Sequence, residues 1–191
     1  MMDIREAIRS RRTVRRFEQQ SIPEPVLLDL LEGARLAPSA ANLQPLEFLL
    51  IDEPARREAL FAHLKWGAYV KPRRDPEPDQ RPTAYVVALW ARERSSFPQW
   101  EAGAALQSII LAAAEQGIAT CWLGGIDRDG IRSDFGVPDD RDVIGVIALG
   151  YPAEAPVLEE RDDEVKYWLD DDDVLHVPKR SLGAVLHRNR Y

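Results

Sequence analysis

Residues 99–117, "QWEAGAALQSIILAAAEQG", constrain the fold more than any other stretch. They read as the longest helix of the chain, with Gly117 as its C-cap. Bulky Leu106, Ile109, Ile110 and Leu111, and small Gly103, Ala104, Ala105, Ala112, Ala113 and Ala114, occupy more than one side of it. A surface helix carries a single apolar stripe; this one needs cover on several sides. It is either buried inside one subunit or shared between two. A chain of 191 residues, 45% hydrophobic and 30% charged, is long enough to supply that cover as one domain spanning 1–191.

The remaining elements follow from periodicity and breakers. Helices are expected at 3–12, with Asp3 as N-cap, and at 24–36, with Pro25 in the first turn and Pro38 as the stop. A third starts at Pro54 and ends near Leu64, and a short one lies within "RDGIRSDFG". Strands are expected in "EFLLID", "AYVVALWA", "ATCWLGG" and "DVIGVIALGYP". The stretch "VKPRRDPEPDQRPTA" reads as an exposed excursion, too short to link two domains. Residues 153–191 alternate acidic patches with short apolar pieces, and "LDDDD" reads as a solvated turn. The alternation is too irregular for a doubly wound sheet, so a helix-flanked mixed sheet is expected.

Several chemistries are disfavoured. There is no P-loop, GxSxG or HExxH string, and His63, His176 and His187 lack metal-ligand spacing, so no metal is expected. The lone cysteine, Cys121, sits in an apolar strand and reads as a buried, inert thiol. No apolar run approaches a membrane span of roughly 18 residues, and the first residues carry no apolar signal core. The chain is expected in the cytoplasm, off the membrane. A net charge of −7 argues against an RNA-binding role, since such affinity is mostly phosphate neutralisation. If the chain is an enzyme, a cofactor carries the difficult step.

Three stretches remain. "RSRRTVRRF", residues 9–17, holds five arginines in nine positions. One or two would suit the C-terminal end of a helix dipole. Five suit a phosphate, which guanidinium groups bind through paired hydrogen bonds, with the Thr13 hydroxyl beside them. "APSAANLQPLEF", residues 37–48, places Asn42 and Gln44, each both donor and acceptor, in a small-residue loop able to lie against a flat ring. In "GIATCWLGG" a strand runs into Gly124-Gly125, a tight turn or a pair of backbone N–H groups open to a planar ligand.

In this order, "RRTVRRF", "APSAANLQPLEF", "GIATCWLGG" with "FGVP" and "ALGYP", and the closing "PKRSLGAVLHRNRY" resemble the FMN-dependent nitroreductase family. The resemblance covers nearly the whole chain except 70–82. It implies a homodimeric α+β fold, a three-layer α/β/α arrangement with a mixed, mainly antiparallel sheet, and FMN at two shared interface sites. By resemblance, Arg11, Arg12, Thr13 and Arg15 bind the flavin, with Arg15 nearest its pyrimidine edge and Arg180 at the phosphate. Arg9 and Arg16 are left as surface charge. Pro38, Ser39, Asn42 and Gln44 match the loop that the partner subunit lays along the flavin. Gly124 and Gly125 match the turn whose amide faces flavin N5 and O4. The activity implied is ping-pong transfer from NADH or NADPH through FMN to a small acceptor such as a nitroaromatic or quinone. Reductive dehalogenation, flavin breakdown and non-catalytic flavin binding are the alternatives. Leu46 stands where many members carry tryptophan. Trp66, Tyr69 and Lys71 are the candidates for lining the substrate pocket.

Overall fold

The computed structural model describes residues 2–70 and 75–191. Helix α1 (Ile4–Ser10) starts at Asp3, whose carboxylate accepts the Arg5 and Glu6 amides, and leads through the arginine segment to α2 (Glu24–Arg35). Then come β1 (Leu46–Ile51), α3 (Pro54–Phe61), β2 (Ala84–Ala91), α4 (Pro98–Glu115), β3 (Ala119–Leu123), α5 (Arg128–Phe135) and β4 (Arg141–Gly150). Beyond β4 lie β5 (Val157–Glu160), β6 (Trp168–Leu169), β7 (Leu175–Lys179) and a one-turn helix α6 (Leu182–Val185).

The main sheet has the order β1-β2-β4-β3 and is antiparallel throughout. Strand residues alternate between faces. Val86 and Ala88 of β2, with Ile147 and Leu149 of β4, therefore face Leu27 and Leu30 of α2 and Leu106, Ile109 and Ala113 of α4. Tyr85, Val87 and Leu89, with Val146 and Ala148, face the other way, onto Phe17, Leu60, Trp66 and Ile131. Helices cover both faces, which makes the three layers of an α/β/α fold. The apolar spread of α4 has its cause here: α4 packs on the sheet and on α2, and its buried residues include Ala102, Ala105 and Ile110.

Two features depart from the sequence-based expectation. Helix α3 stops at Phe61 rather than near Leu64, because the chain turns and Leu64 pairs with Ile126 in an antiparallel bridge. Residues 153–191 contain a second sheet, β5-β7-β6, and the parallel pairing that makes the fold mixed is its β5–β7 pair rather than part of the main sheet. The "LDDDD" turn closes the β6–β7 hairpin, with the Asp170 carboxylate accepting the Asp172 amide at 3.0 Å and the Val174 amide at 2.8 Å.

Edge position is what matters for the site. The loop at 37–45 feeds β1, one edge of the main sheet. The arginine segment lies against β3, the other edge, where Val14 N–H donates to Thr120 O at 3.1 Å and Thr13 bridges Thr120 in parallel. Three strand spacings, roughly 14 Å, separate these edges.

Two glycines test this packing in opposite directions. A Cβ at Gly150 would stand 2.8 Å from Cδ1 of the fully buried Phe17 ring, whereas one at Gly33, inside α2, meets nothing within 4 Å. Gly150→Ala should destabilise by roughly 1–3 kcal/mol. Gly33→Ala should stabilise by about 0.4–1 kcal/mol. Urea unfolding of the two variants beside the wild type reads both.

Candidate functional site

Helix α1 is capped by Arg11, whose backbone leaves the helical region at φ −55° and ψ 126°; the chain then meets β3 at Thr13 and Val14 and residues 151–153 at Arg16 to Glu18. Arg11 is half-buried, and burial, with the neighbouring Arg12 guanidinium, holds its pKa below the usual arginine value. The Arg12 guanidinium donates to Arg11 O, but its Nε is buried with no hydrogen-bond partner among the described residues, and so is that of Arg15. The Arg15 backbone N–H donates to Glu154 Oε1, and its guanidinium lies over the Tyr167 ring, 4.6 Å from the centroid. Arg16 is not surface charge: it pairs with Asp173 at 2.5 Å, its side chain 22% exposed, which ties the segment to the β6–β7 turn. Arg9 is exposed, as expected. The Arg11 and Arg12 guanidinium groups thus stand as neighbours on a half-buried segment, while Glu154 takes the Arg15 backbone and Asp173 takes Arg16.

The glycine turn lies beyond the C-terminal end of β3. Gly124 and Gly125 are exposed, and Lys65 N–H donates to Gly125 O at 2.9 Å. Asp127 N–H donates to His63 O at 2.9 Å, so residues 63–65 and 125–127 form a short antiparallel clasp. The His63 ring reinforces it, with Nε2 2.8 Å from Asp134 Oδ2 and Nδ1 3.4 Å from Asp127 Oδ2. Asp127 also caps α5, and its carboxyl is held below the usual range, first by the Gly130 amide and then by His63. Nothing lies within 4 Å of a Cβ at Gly124.

The proposed pocket residues separate. Trp66 is only 2% exposed and stacks on Phe61 inside the core, so it forms no solvent-facing wall of this chain. Its apolar surroundings on the α3 side of the sheet claim the ring. Tyr69 is 54% exposed and meets the Tyr167 ring edge-on at 5.1 Å, next to Arg15. A small hollow beside this stack is bounded by Arg15, Gly67, Val70, Pro76 and Leu175. Lys71 lies outside the described residues. Arg180 is exposed and its guanidinium donates to Ala184 O at 2.6 Å. It follows β7 directly.

The loop at 37–45 is unusual in its backbone. Ala41, Asn42 and Gln44 have φ of 49°, 54° and 48°, left-handed conformations that cost an L residue roughly 1–2 kcal/mol each. Pro38, Asn42 and Gln44 are exposed, and Ser39 Oγ accepts the Gln44 amide at 3.0 Å. This loop and the arginine segment stand on opposite sheet edges.

Tyr167, Glu154, Asp173 and His176 escape sequence reasoning. They come from the small sheet or its approach, whose pairing no local pattern announces. His176 is the hub there: Nδ1 is 2.8 Å from Glu159 Oε1, Nε2 is 2.9 Å from Asp170 Oδ2, and the ring stacks on Trp168 at 4.2 Å. Cys121 is buried, and burial raises its thiol to about 11, which fits an inert role. Among the described residues no cluster of metal-ligating side chains occurs, and no helix is long and apolar enough to cross a membrane.

The family model described as the Nitroreductase family matches residues 8–151. A Methanothermobacter thermautotrophicus protein is 32% identical over 161 residues, 81% of this chain and 80% of its own; its name offers NADH dehydrogenase and NAD(P)H nitroreductase as alternatives. A nitroreductase family protein from Clostridium difficile superposes with a TM-score of 0.75 over all of both chains at 18% identity. A Desulfovibrio desulfuricans structure in complex with FMN superposes with a TM-score of 0.71 at 24% identity, covering 98% of this chain and 97% of its own.

The carboxylates around His176 raise its pKa, with Asp170 the larger influence and Glu159 opposing the desolvation. A raised histidine adds stability that is full below its unfolded value of about 6.5 and is lost as pH rises through the folded value. The melting temperature of wild type minus that of His176→Gln should therefore shrink as pH climbs from 6 to 9. An NMR titration should place the His176 midpoint above that of the free side chain.

Proposed function

Since the chain belongs to the nitroreductase family of oxidoreductases, we propose that it binds FMN and moves electrons from NADH or NADPH to a small acceptor such as a nitroaromatic or quinone. The observation that carries this reading is the arginine segment. A half-buried Arg11 with a lowered pKa stands beside Arg12, whose buried Nε has no hydrogen-bond partner among the described residues, and together they make a cationic patch suited to an anion. Buried donors left unpaired are costly, and a phosphate dianion has the charge and the acceptors to satisfy them. A flavin held there would supply the hydride chemistry that links a nicotinamide donor to the acceptor in ping-pong order, with the chain supplying binding and orientation.

The chain's own residues then hold and orient. Arg11, Arg12 and Thr13 take the phosphate side. Arg15, fixed by its backbone bond to Glu154 and its stacking on Tyr167, sets a positive charge toward the pyrimidine edge. That charge favours an anionic reduced ring and raises its potential. Gly124 and Gly125 offer backbone N–H groups in a turn that the His63 clasp holds still. Tyr69 and Tyr167 form an aromatic wall beside this site.

Pro38, Ser39, Asn42 and Gln44 complete the site from a second copy of the chain. Two things support this: the roughly 14 Å between the sheet edges, and the exposed apolar residues Leu182, Val185 and Leu186 of the C-terminal arm, Trp100 on α4 and Ile8 on α1. A two-fold pairing lets each edge meet the complementary edge of its partner. Arg180 then acts at the phosphate through the same assembly.

Purified protein should carry or take up a yellow flavin, bleach with NADH or NADPH, and recolour with a quinone under anaerobic conditions. Arg11→Ala should weaken FMN binding roughly 10- to 150-fold, the equivalent of about 1.5–3 kcal/mol for a charged hydrogen bond. Riboflavin, which lacks the phosphate, should bind both proteins alike. Equal losses for the two flavins would remove Arg11 from the phosphate.

The shared site has its own test. Co-express Arg11→Ala/Arg15→Ala with Asn42→Ala/Gln44→Ala under separate tags. The heterodimer should hold one intact site and recover about half the wild-type activity, because each chain supplies its undamaged half to that site. No recovery from a verified, folded heterodimer would place the whole site within one chain.

A further inference from the structure

We propose that Glu101 is a positioning residue for the loop at 39–44, and that its carboxylate keeps Asn42 and Gln44 in the shape the flavin site requires. This rests on the functional reading above. Glu101 stands in the first turn of α4 and is 4% exposed. Its Oε1 accepts the Ala40 backbone N–H at 3.0 Å and the Ser95 hydroxyl at 3.4 Å, while Ser95 Oγ accepts the Phe97 amide at 3.1 Å. A carboxylate is tolerated so deep only when donors and positive potential surround it. Here two donors and the N-terminal end of an 18-residue helix supply them.

The loop needs an external tether. Ala41, Asn42 and Gln44 are all left-handed and none is glycine. Such backbone relaxes toward ordinary conformations unless its surroundings determine it. The Ser39–Gln44 bond closes the loop on itself, and Arg94 and the Ala91 amide hold its far end, at Gln44 O and Pro45 O, while its Ala40 end needs its own link to the body. The Ala40–Glu101 bond joins it to α4, and α4 is packed against the sheet. Glu101 thus acts through Ala40.

Three variants separate positioning from bulk stability. Glu101→Ala removes the acceptor, and Glu101→Gln keeps a carbonyl acceptor of the same reach. Ala40→Pro removes only the donor. It fits the backbone because Ser39 is extended at φ −135° and ψ 153°, as a residue before proline prefers, and Ala40 opens the short helical turn.

Full-length protein is used throughout. Glu101→Ala should speed amide exchange across residues 39–44 and raise the Kd for FMN roughly tenfold, since apparent affinity scales with the fraction of time the loop is competent. Turnover should fall with it. Glu101→Gln should stay within about threefold of wild type on both readouts. Ala40→Pro should match Glu101→Ala, and the double variant should be no worse than either single one, as expected of two ends of one bond. If Glu101→Ala fails to fold, Ala40→Pro against Glu101→Gln carries the same comparison.

A lowered melting temperature with unchanged FMN affinity in Glu101→Ala, while Asn42→Ala/Gln44→Ala loses affinity, overturns the proposal and leaves the site reading intact. If Asn42→Ala/Gln44→Ala changes neither affinity nor turnover, the loop's part in the flavin site has failed, and with it the role proposed for Glu101. Unchanged exchange at 39–44 in Glu101→Ala overturns the tether itself, whatever the flavin does.

Discussion

Strands β2 and β4 have no solvent-facing side, and this double burial dictates what surrounds them. Ala84 through Leu89 and Val146 through Gly150 are buried residue after residue. Each face therefore requires its own helical layer, α2 with α4 on one side and α3 with α5 on the other. The two central strands take up both layers, which leaves β1 and β3 as edges. The functional segments lie beside those edges, where backbone remains available and loops leave the sheet. The arginine segment uses the outer side of β3 as its template, through the Val14–Thr120 hydrogen bond.

Charge is distributed by the same logic. The chain is acidic overall, yet its arginines cluster beside β3. Carboxylates are present there, but geometry assigns them elsewhere: Glu154 takes the Arg15 amide, and Asp173 takes Arg16. The guanidinium groups of Arg11 and Arg12 are left as neighbours, and burial together with Arg12 pushes the Arg11 pKa down. Such an arrangement relaxes when an anion arrives, which is why a local cationic site suits a chain whose net charge repels polyanions.

Local patterns made much of this legible. "AYVVALWA" became β2 with the same ends, because an apolar run of that length bounded by turn residues has few other solutions. Helix α4 was readable from its many-sided apolar surface, and the arginine segment from its density of charge. The small sheet was not. Its strands hold two to five residues, and β5 pairs with β7 across an intervening segment, so the information lies in the partner rather than in the strand. Trp66 misled for a related reason: an indole between Lys65 and Gly67 reads as readily for a pocket as for a core, and only the packing of Phe61 and Leu64 decides. The left-handed loop left no trace either, since left-handed backbone without glycine is imposed by its surroundings.

That loop connects the fold to the chemistry proposed for it. A self-sufficient turn would place glycine at Ala41, Asn42 or Gln44 and need no buried acid. Here side chains stand at all three positions, and the conformation depends on bonds made to Ser39 and Glu101. Asn42 and Gln44 gain in exchange two amide groups held outward on a strained backbone. Strain of this kind preorganises a surface before its ligand arrives. On the opposite edge the glycine turn follows the other design, with open space beside Gly124, Lys65 packed against Gly125, and the His63 clasp supplying the rigidity. The two segments are therefore held in complementary ways. One edge presents side-chain amides on a tethered loop, the other presents backbone on an open turn. A planar ligand held between copies of the chain would meet both.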